Sequence, residues 1–287
     1  MVQTLRCMTD SRWRGFVTGT VVTATVQSSA AVSVLTAELV QSDLLTLRRA
    51  IPVLIGANVG TTVTAWLLCL AQGLPDTVTL SAVLAIVGTV LYLTPRRRHW
   101  GCVLLGLFLL LSGMDGITAA ARPLMQTDWL RRLFTTVQNP LLGLSMGMLL
   151  TVLVQSSSAS VGLLQALSAT GQVQCATALP ILLGQNIGTC LTVFFVALGG
   201  KQRAGQVAWA HLLFNVIGST VMLLLQGAIR LSHFSYLLTQ PVNSMSVAML
   251  HTLFNLISAA IVLPCADGFA RLVEEITAHP WNVSANR

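Results

Sequence analysis

Long apolar runs broken by short polar or basic segments set the pattern of this chain. Six of them, at 51–71, 78–94, 101–119, 179–199, 206–227 and 243–263, are long enough to cross a bilayer as helices, which takes about 17–25 residues. Two further runs, 13–40 and 141–168, carry Gln-Ser-Ser in the middle. Each is expected to form two half-helices of about 13 residues that enter and leave the membrane without crossing it. The pattern predicts an all-α polytopic membrane protein.

The chain repeats itself. Residues 15–65 align with 143–193 at an offset of 128 without a gap, with 18 identities in 51 positions. Gly15, Gly19, Thr23, Gln27, Ser28 and Ser29 match Gly143, Gly147, Thr151, Gln155, Ser156 and Ser157. Pro52, Gly56, Asn58, Gly60, Thr61 and Thr64 match Pro180, Gly184, Asn186, Gly188, Thr189 and Thr192. These residue types are unusual in a lipid-facing helix, so the match is not shared apolarity. The basic residues swap sides between copies. Arg48 and Arg49 flank the first hairpin, whose counterpart loop has none, and Lys201 and Arg203 follow the second copy where the first has none. That bias predicts an inverted repeat.

Threading the chain on this basis gives a first repeat over 1–94, with hairpin 13–40, broken helix 51–71 and helix 78–94. A linker helix and an interfacial segment follow over 95–140. The second repeat spans 141–227, with hairpin 141–168, broken helix 179–199 and helix 206–227. A last crossing helix and a short tail occupy 228–287. Of the 16 Lys and Arg residues, 12 then fall inside, and Arg122, Arg131, Arg132 and Arg230 fall outside.

Composition narrows the function. Only 9% of residues are charged, against about a quarter in a soluble domain. The net charge of +7 lies between apolar runs, as at Arg96–Arg98, and reads as topology charge, not as a nucleic-acid surface. The six cysteines form no CxxC pair and read as small hydrophobes. The histidines show no zinc-enzyme spacing. Nothing points to a catalytic group: Ser156 to Ser158 lack a nearby base. No cofactor is expected.

Each copy carries Gln-Ser-Ser and Gly-x-Asn-x-Gly-Thr. Unpaired backbone in hydrocarbon costs several kcal/mol, so polar interruptions there are expected to line a cavity. The glycines, with Pro52 and Pro180 about one turn before the break, are expected to break the helix. Hydroxyls, amides and freed carbonyls suit Na⁺, and half-helix N-termini suit an anion. The residues alone thus predict a secondary transporter coupling Na⁺ to an anion. His211-Leu-Leu-Phe-Asn215 and His251-Thr-Leu-Phe-Asn255 each set His and Asn on one helix face and are expected to bond across helices, or else to line a cavity.

Gln155-Ser156-Ser157-Ser158-Ala159 and Gln27-Ser28-Ser29, each followed by Gly-x-Asn-x-Gly-Thr, resemble the signature of the type II sodium–phosphate cotransporter family over residues 13–265. The resemblance implies a sodium-coupled symporter importing inorganic phosphate across the cell membrane. It implies phosphate contacts from Gln27, Ser28, Ser29, Gln155, Ser156, Ser157 and Ser158. It implies Na⁺ contacts from Gln155, Ser156, Ser157, Asn186, Thr189, Thr192, Asn58, Thr61 and Thr62. Ala30 departs from the pattern, standing where the family has a third Ser. A helix matching 101–119 ahead of copy one, and a C-terminal PhoU-like domain, are expected to be missing. The alternatives are a symporter of another oxyanion, H⁺ coupling, or a truncated relative that does not transport.

Overall fold

The computed structural model describes residues 7–73, 76–125, 127, 139–198 and 202–278. Among these the chain is helical, with no strand and one isolated bridge between Gln174 and Pro241. The first copy forms α1 (Arg12–Val26), α2 (Ser29–Gln41) and α3 (Leu47–Gln72). After it come α4 (Thr77–Leu93) and α5 (Arg98–Met125). The second copy forms α6 (Pro140–Val154), α7 (Ser157–Ser168) and α8 (Cys175–Leu198). The rest is α9 (Gln202–Leu231), a short α10 (Tyr236–Thr239), α11 (Ser244–Val262) and α12 (Ala266–Ala278). The interfacial segment expected over 120–140 lies mostly outside the described residues.

Five segments, in α3, α5, α8, α9 and α11, are long and apolar enough to cross a membrane. α4, expected as a sixth, has 17 residues and falls at the short limit. Large apolar side chains lie on the molecular surface, among them Val78, Ile86, Leu109, Leu153 and Leu224. A surface of this kind suits lipid tails, which solvate it at no hydrophobic cost. The chain is an integral membrane protein.

The expected breaks at 51–71 and 179–199 do not occur. α3 and α8 run unbroken through Pro52 and Pro180 and through all four glycines. A proline removes one intrahelical bond, and a helix braced on all sides absorbs that loss. The glycines serve packing instead. A methyl at Gly56 would overlap the carbonyl oxygen of Phe16, and one at Gly184 would overlap that of Leu144. Gly19 and Gly147 reciprocate, seated against the carbonyls of Val53 and Ile181. α1 therefore lies backbone-to-backbone along α3, and α6 along α8, as small residues permit between membrane helices.

The contacts also give direction. α1 starts beside the start of α3, with Gly15 against Pro52, and its last residues reach Thr64 through Gln27. α6 likewise advances along α8, from Gly184 beside Leu144 to Gly188 beside Thr151. Asp43, just before α3, forms an ion pair with Arg203, just after α8, so the start of α3 and the end of α8 share one end of the molecule. At that end the amphipathic α12 buries Phe269, Ala270 and Val273 against Leu47, Ile51, Ala204 and Val207. α1 and α6 therefore run toward their polar turns from opposite ends of the molecule.

Candidate functional site

Each copy turns at Gln-Ser. Gln27 (φ 61°, ψ 23°) and Gln155 (φ 56°, ψ 21°) close α1 and α6 in the left-handed conformation, and their amides donate to Thr23 O at 2.7 Å and Thr151 O at 2.8 Å. A non-glycine residue held there costs of order 1–3 kcal/mol and persists only where its surroundings impose it. Gln27 is held by its carboxamide, whose Oε1 accepts from Thr64 Oγ1 at 2.7 Å. The next residue caps the following helix. Ser28 Oγ accepts from Ala31 N at 3.2 Å, and Ser156 Oγ accepts from Ala159 N at 3.3 Å. A serine N-cap satisfies one of the four free amides of a helix start, and the others are left for a ligand.

The two turns, 128 residues apart in sequence, line one cavity of about 130 Å³. The first copy supplies Gln27, Ser28 and Ala30. The second supplies Gln155, Ser156, Ser157 and Ser158, with Thr151 and Thr189. None of these nine carries a charge. Two helix N-termini and two helix C-termini end on the same small volume, so amide donors and carbonyl acceptors are both within reach of it.

The other expected site residues lie elsewhere. Ser29 is buried at the first turn of α2 and does not line the cavity. Thr61 and Thr62 donate to Ala57 O at 3.0 Å and Val59 O at 2.7 Å. The Thr192 side chain falls outside the described residues. Asn58 and Asn186 are buried and engaged with the His–Asn helices. Asn58 Nδ2 donates to Leu54 O, which leaves Oδ1 to accept from His211 Nε2 and Asn215 Nδ2, both at 3.3 Å. Asn186 repeats this, with Nδ2 on Leu182 O and Oδ1 accepting from His251 Nε2 at 3.2 Å. The partners fix the histidine tautomer, with the proton on Nε2. The expected bonding across helices is thus met, and it engages the side-chain oxygens of both asparagines.

Sequence reasoning missed Thr151 as a lining residue, and missed Ser160 and Gln185 behind it. Thr151 Oγ1 donates to Ser160 Oγ at 3.0 Å, and Gln185 Nε2 donates to Ser160 O at 2.9 Å. The match of Thr23 with Thr151, one turn before the glutamine, was the available signal.

A family profile described as Na⁺/Pi-cotransporter matches residues 1–119 and 109–249. The uncharacterized protein YqeW of Bacillus subtilis strain 168 is 32% identical over 275 residues, covering 94% of this chain and 86% of that protein. YjbB of Escherichia coli K12, provisionally named an inorganic phosphate export protein, is 30% identical over 271 residues, covering 91% of this chain and 47% of its own length. The sodium-dependent phosphate transport protein 2A of Rattus norvegicus is 40% identical over 98 residues, 32% of this chain and 15% of that protein. This chain therefore spans about half of the Escherichia coli relative and most of the Bacillus one. No solved structure matches it.

Proposed function

The chain belongs to the Na⁺/Pi-cotransporter family, and we propose that it is a sodium-coupled phosphate symporter of the cell membrane. The observation that carries this reading is the uncharged cavity lined from both repeats, with the N-caps of α2 and α7 on its wall. Phosphate binds there through the hydroxyls and free amides of Ser28, Ser156, Ser157 and Ser158, aided by two helix dipoles. Na⁺ takes oxygens from Gln155 and Thr189, and its charge offsets that of the anion. A fixed cation is then unnecessary, and phosphate leaves when Na⁺ leaves.

The proposed architecture is a pair of inverted repeats, 1–94 and 141–227, whose hairpins 13–40 and 141–168 enter from opposite faces. The opposite directions of α3 and α8, and of α1 and α6 alongside them, support it. Such repeats provide alternating access by moving one bundle against the other around a site at mid-depth.

An inward Na⁺ gradient drives phosphate inward through such a site. The decisive measurement is ³²P-phosphate uptake into proteoliposomes under an inward Na⁺ or K⁺ gradient. Uptake is expected with Na⁺ only, and Ser156→Ala is expected to abolish it. Equal uptake in K⁺ overturns sodium coupling. The name of the YjbB relative favours a second reading, export, in which the same site releases phosphate outward. Phosphate-loaded vesicles separate the two: efflux in the complete absence of Na⁺ on both sides supports export.

A further inference from the structure

We infer that the cavity is divided by hydrogen-bond direction, and that Thr151 is a sodium ligand kept in that role by Ser160 and Gln185. This rests on the sodium–phosphate reading above and assigns its parts within the cavity.

A threonine hydroxyl has one proton and two lone pairs. Thr151 Oγ1 gives its proton to Ser160 Oγ at 3.0 Å. Thr189 Oγ1 gives its proton to Gln185 O at 3.0 Å. Both residues line the cavity. With its proton committed to Ser160, the Thr151 oxygen can meet a ligand only as an acceptor. A phosphate oxygen would meet repulsion there, whereas a hard cation finds oxygen ligands. Gln155, which also lines the cavity, carries a carboxamide oxygen that can add another.

The capping serines show the reverse arrangement. Ser28 Oγ and Ser156 Oγ each accept a backbone N–H, from Ala31 and Ala159. Their own protons remain to be donated, Ser156 sharing a 3.3 Å contact with Ser158 Oγ in which either is the donor. These are donors suited to an oxyanion. One cavity thus holds an accepting wall at Thr151 and a donating wall on Ser28 and Ser156.

The accepting wall has a foundation that belongs to one copy. Ser160 is fully buried and receives the Thr151 proton. Gln185 Nε2 holds Ser160 O at 2.9 Å, and the Gln185 backbone receives the Thr189 proton. Gln185 is completely buried, and its Oε1 has no partner among the described residues, an acceptor surplus in the same network. The first copy has Val32 and Ala57 at these two positions. There Thr23 Oγ1 is buried with no partner among the described residues, and Thr23 does not line the cavity. The accepting threonine of the cavity therefore belongs to the second copy. Ser160 and Gln185 are positioning residues, and Thr151 is the ligand.

The test uses the full chain in two assays. In proteoliposomes, phosphate uptake is measured against Na⁺ and, at saturating Na⁺, against phosphate. In detergent, the Na⁺-induced rise in melting temperature is measured without phosphate. Thr151→Val, which keeps shape and removes the hydroxyl, is expected to raise half-saturating Na⁺ about tenfold, the equivalent of about 1.4 kcal/mol. The phosphate KM at saturating Na⁺ is expected to change by less than about twofold. Ser160→Ala and Gln185→Leu shift Na⁺ in the same direction and less far, Thr151→Ser restores it, and Thr23→Val leaves it unchanged. Wild-type Na⁺ dependence in Thr151→Val overturns the assignment, as does an equal loss in Thr23→Val. If Thr151→Val does not fold, Ser160→Ala decides by the same split between Na⁺ and phosphate. The two ideas fail separately: K⁺-supported uptake by the wild type sinks sodium coupling, whereas Na⁺-dependent wild-type uptake with an unmoved Thr151→Val sinks only the present assignment.

Discussion

The two copies agree where backbone meets backbone and differ where side chains are supported from behind. Gly19 and Gly56 pack as Gly147 and Gly184 do, and Gln27-Ser28 turns as Gln155-Ser156 does. Behind the turns the likeness ends. The second copy has Ser158, Ser160, Gln165 and Gln185 where the first has Ala30, Val32, Ala37 and Ala57. Gln165 Nε2 bonds Ala65 O at 2.9 Å and Ser244 O at 3.2 Å, tying α7 to α3 and to the start of α11. Ala37 sits instead in an apolar cluster with Val40, Leu45 and Ala210. Packing glycines are held by a steric requirement that is the same in both halves. Buried amides are held by partners, and partners differ once a duplicated chain lies in two surroundings.

The largest expected effect breaks the copies alike. Gly19→Val and Gly147→Val each push a side chain into the backbone of the neighbouring helix, which cannot retreat. Overpacking of that kind costs about 1–3 kcal/mol or more, and a backbone clash stands at the upper end. Both variants are expected to lose most of the folded, monodisperse protein on extraction. Tolerance of one and not the other would show that the copies do not share this seat.

A smaller effect separates the His–Asn clasps. His251→Ala removes the donor that the structure gives to Asn186 Oδ1, whereas after His211→Ala the Asn58 Oδ1 keeps Asn215 Nδ2 at 3.3 Å. A buried acceptor left unsatisfied costs about 1–3 kcal/mol. Thermal unfolding in detergent is expected to show His251→Ala as the more destabilised of the two. Equal losses would mean that Asn215 does not compensate. Gln165→Leu, which removes a second bond from two helix carbonyls, is expected to cost less, about 0.5–1.5 kcal/mol, while Ala37→Gln in the first copy destabilises by crowding its cluster.

Much of this was legible in the residues. The duplication, the helical turns at 27–28 and 155–156, and the use of His211 and His251 across helices all follow from residue type and spacing. The glycines were read for the wrong reason. Gly-x-Asn-x-Gly after a proline suits a broken helix as well as a packed one, and only the neighbouring helix decides which occurs. Asn58 and Asn186 were expected at the ions for a related reason: an amide in an apolar run must find a partner, but sequence does not say whether that partner is an ion or a histidine 153 or 65 positions away. Thr151, Ser160 and Gln185 stayed hidden because a proton's direction is a property of pairs.

The smallest expected effect concerns the two ends of the molecule. At the end shared by Asp43 and Arg203, the first hairpin is tied by exposed charges. Besides that ion pair, Arg12 lies 3.7 Å from Asp267 and donates to Pro264 O at 2.7 Å. At the other end the second copy is tied by backbone, with Val242 N donating to Val173 O at 2.8 Å and Cys175 N to Gln240 O at 3.0 Å. Exposed ion pairs contribute at most about 1 kcal/mol, and raising salt from 0.1 M to 1 M shortens the screening length from about 10 Å to about 3 Å. Arg203→Ala is therefore expected to lower the melting temperature slightly at low salt and not at 1 M NaCl. Asp43→Asn, which removes the charge and still suits the left-handed backbone at φ 58°, should reproduce that low-salt loss. Weakening the pairing at the opposite end, by Val242→Pro to remove its amide, should cost the same at both salt concentrations. A salt-dependent loss there, or a salt-independent one at Arg203, would mean that the ends are not held by different kinds of bond.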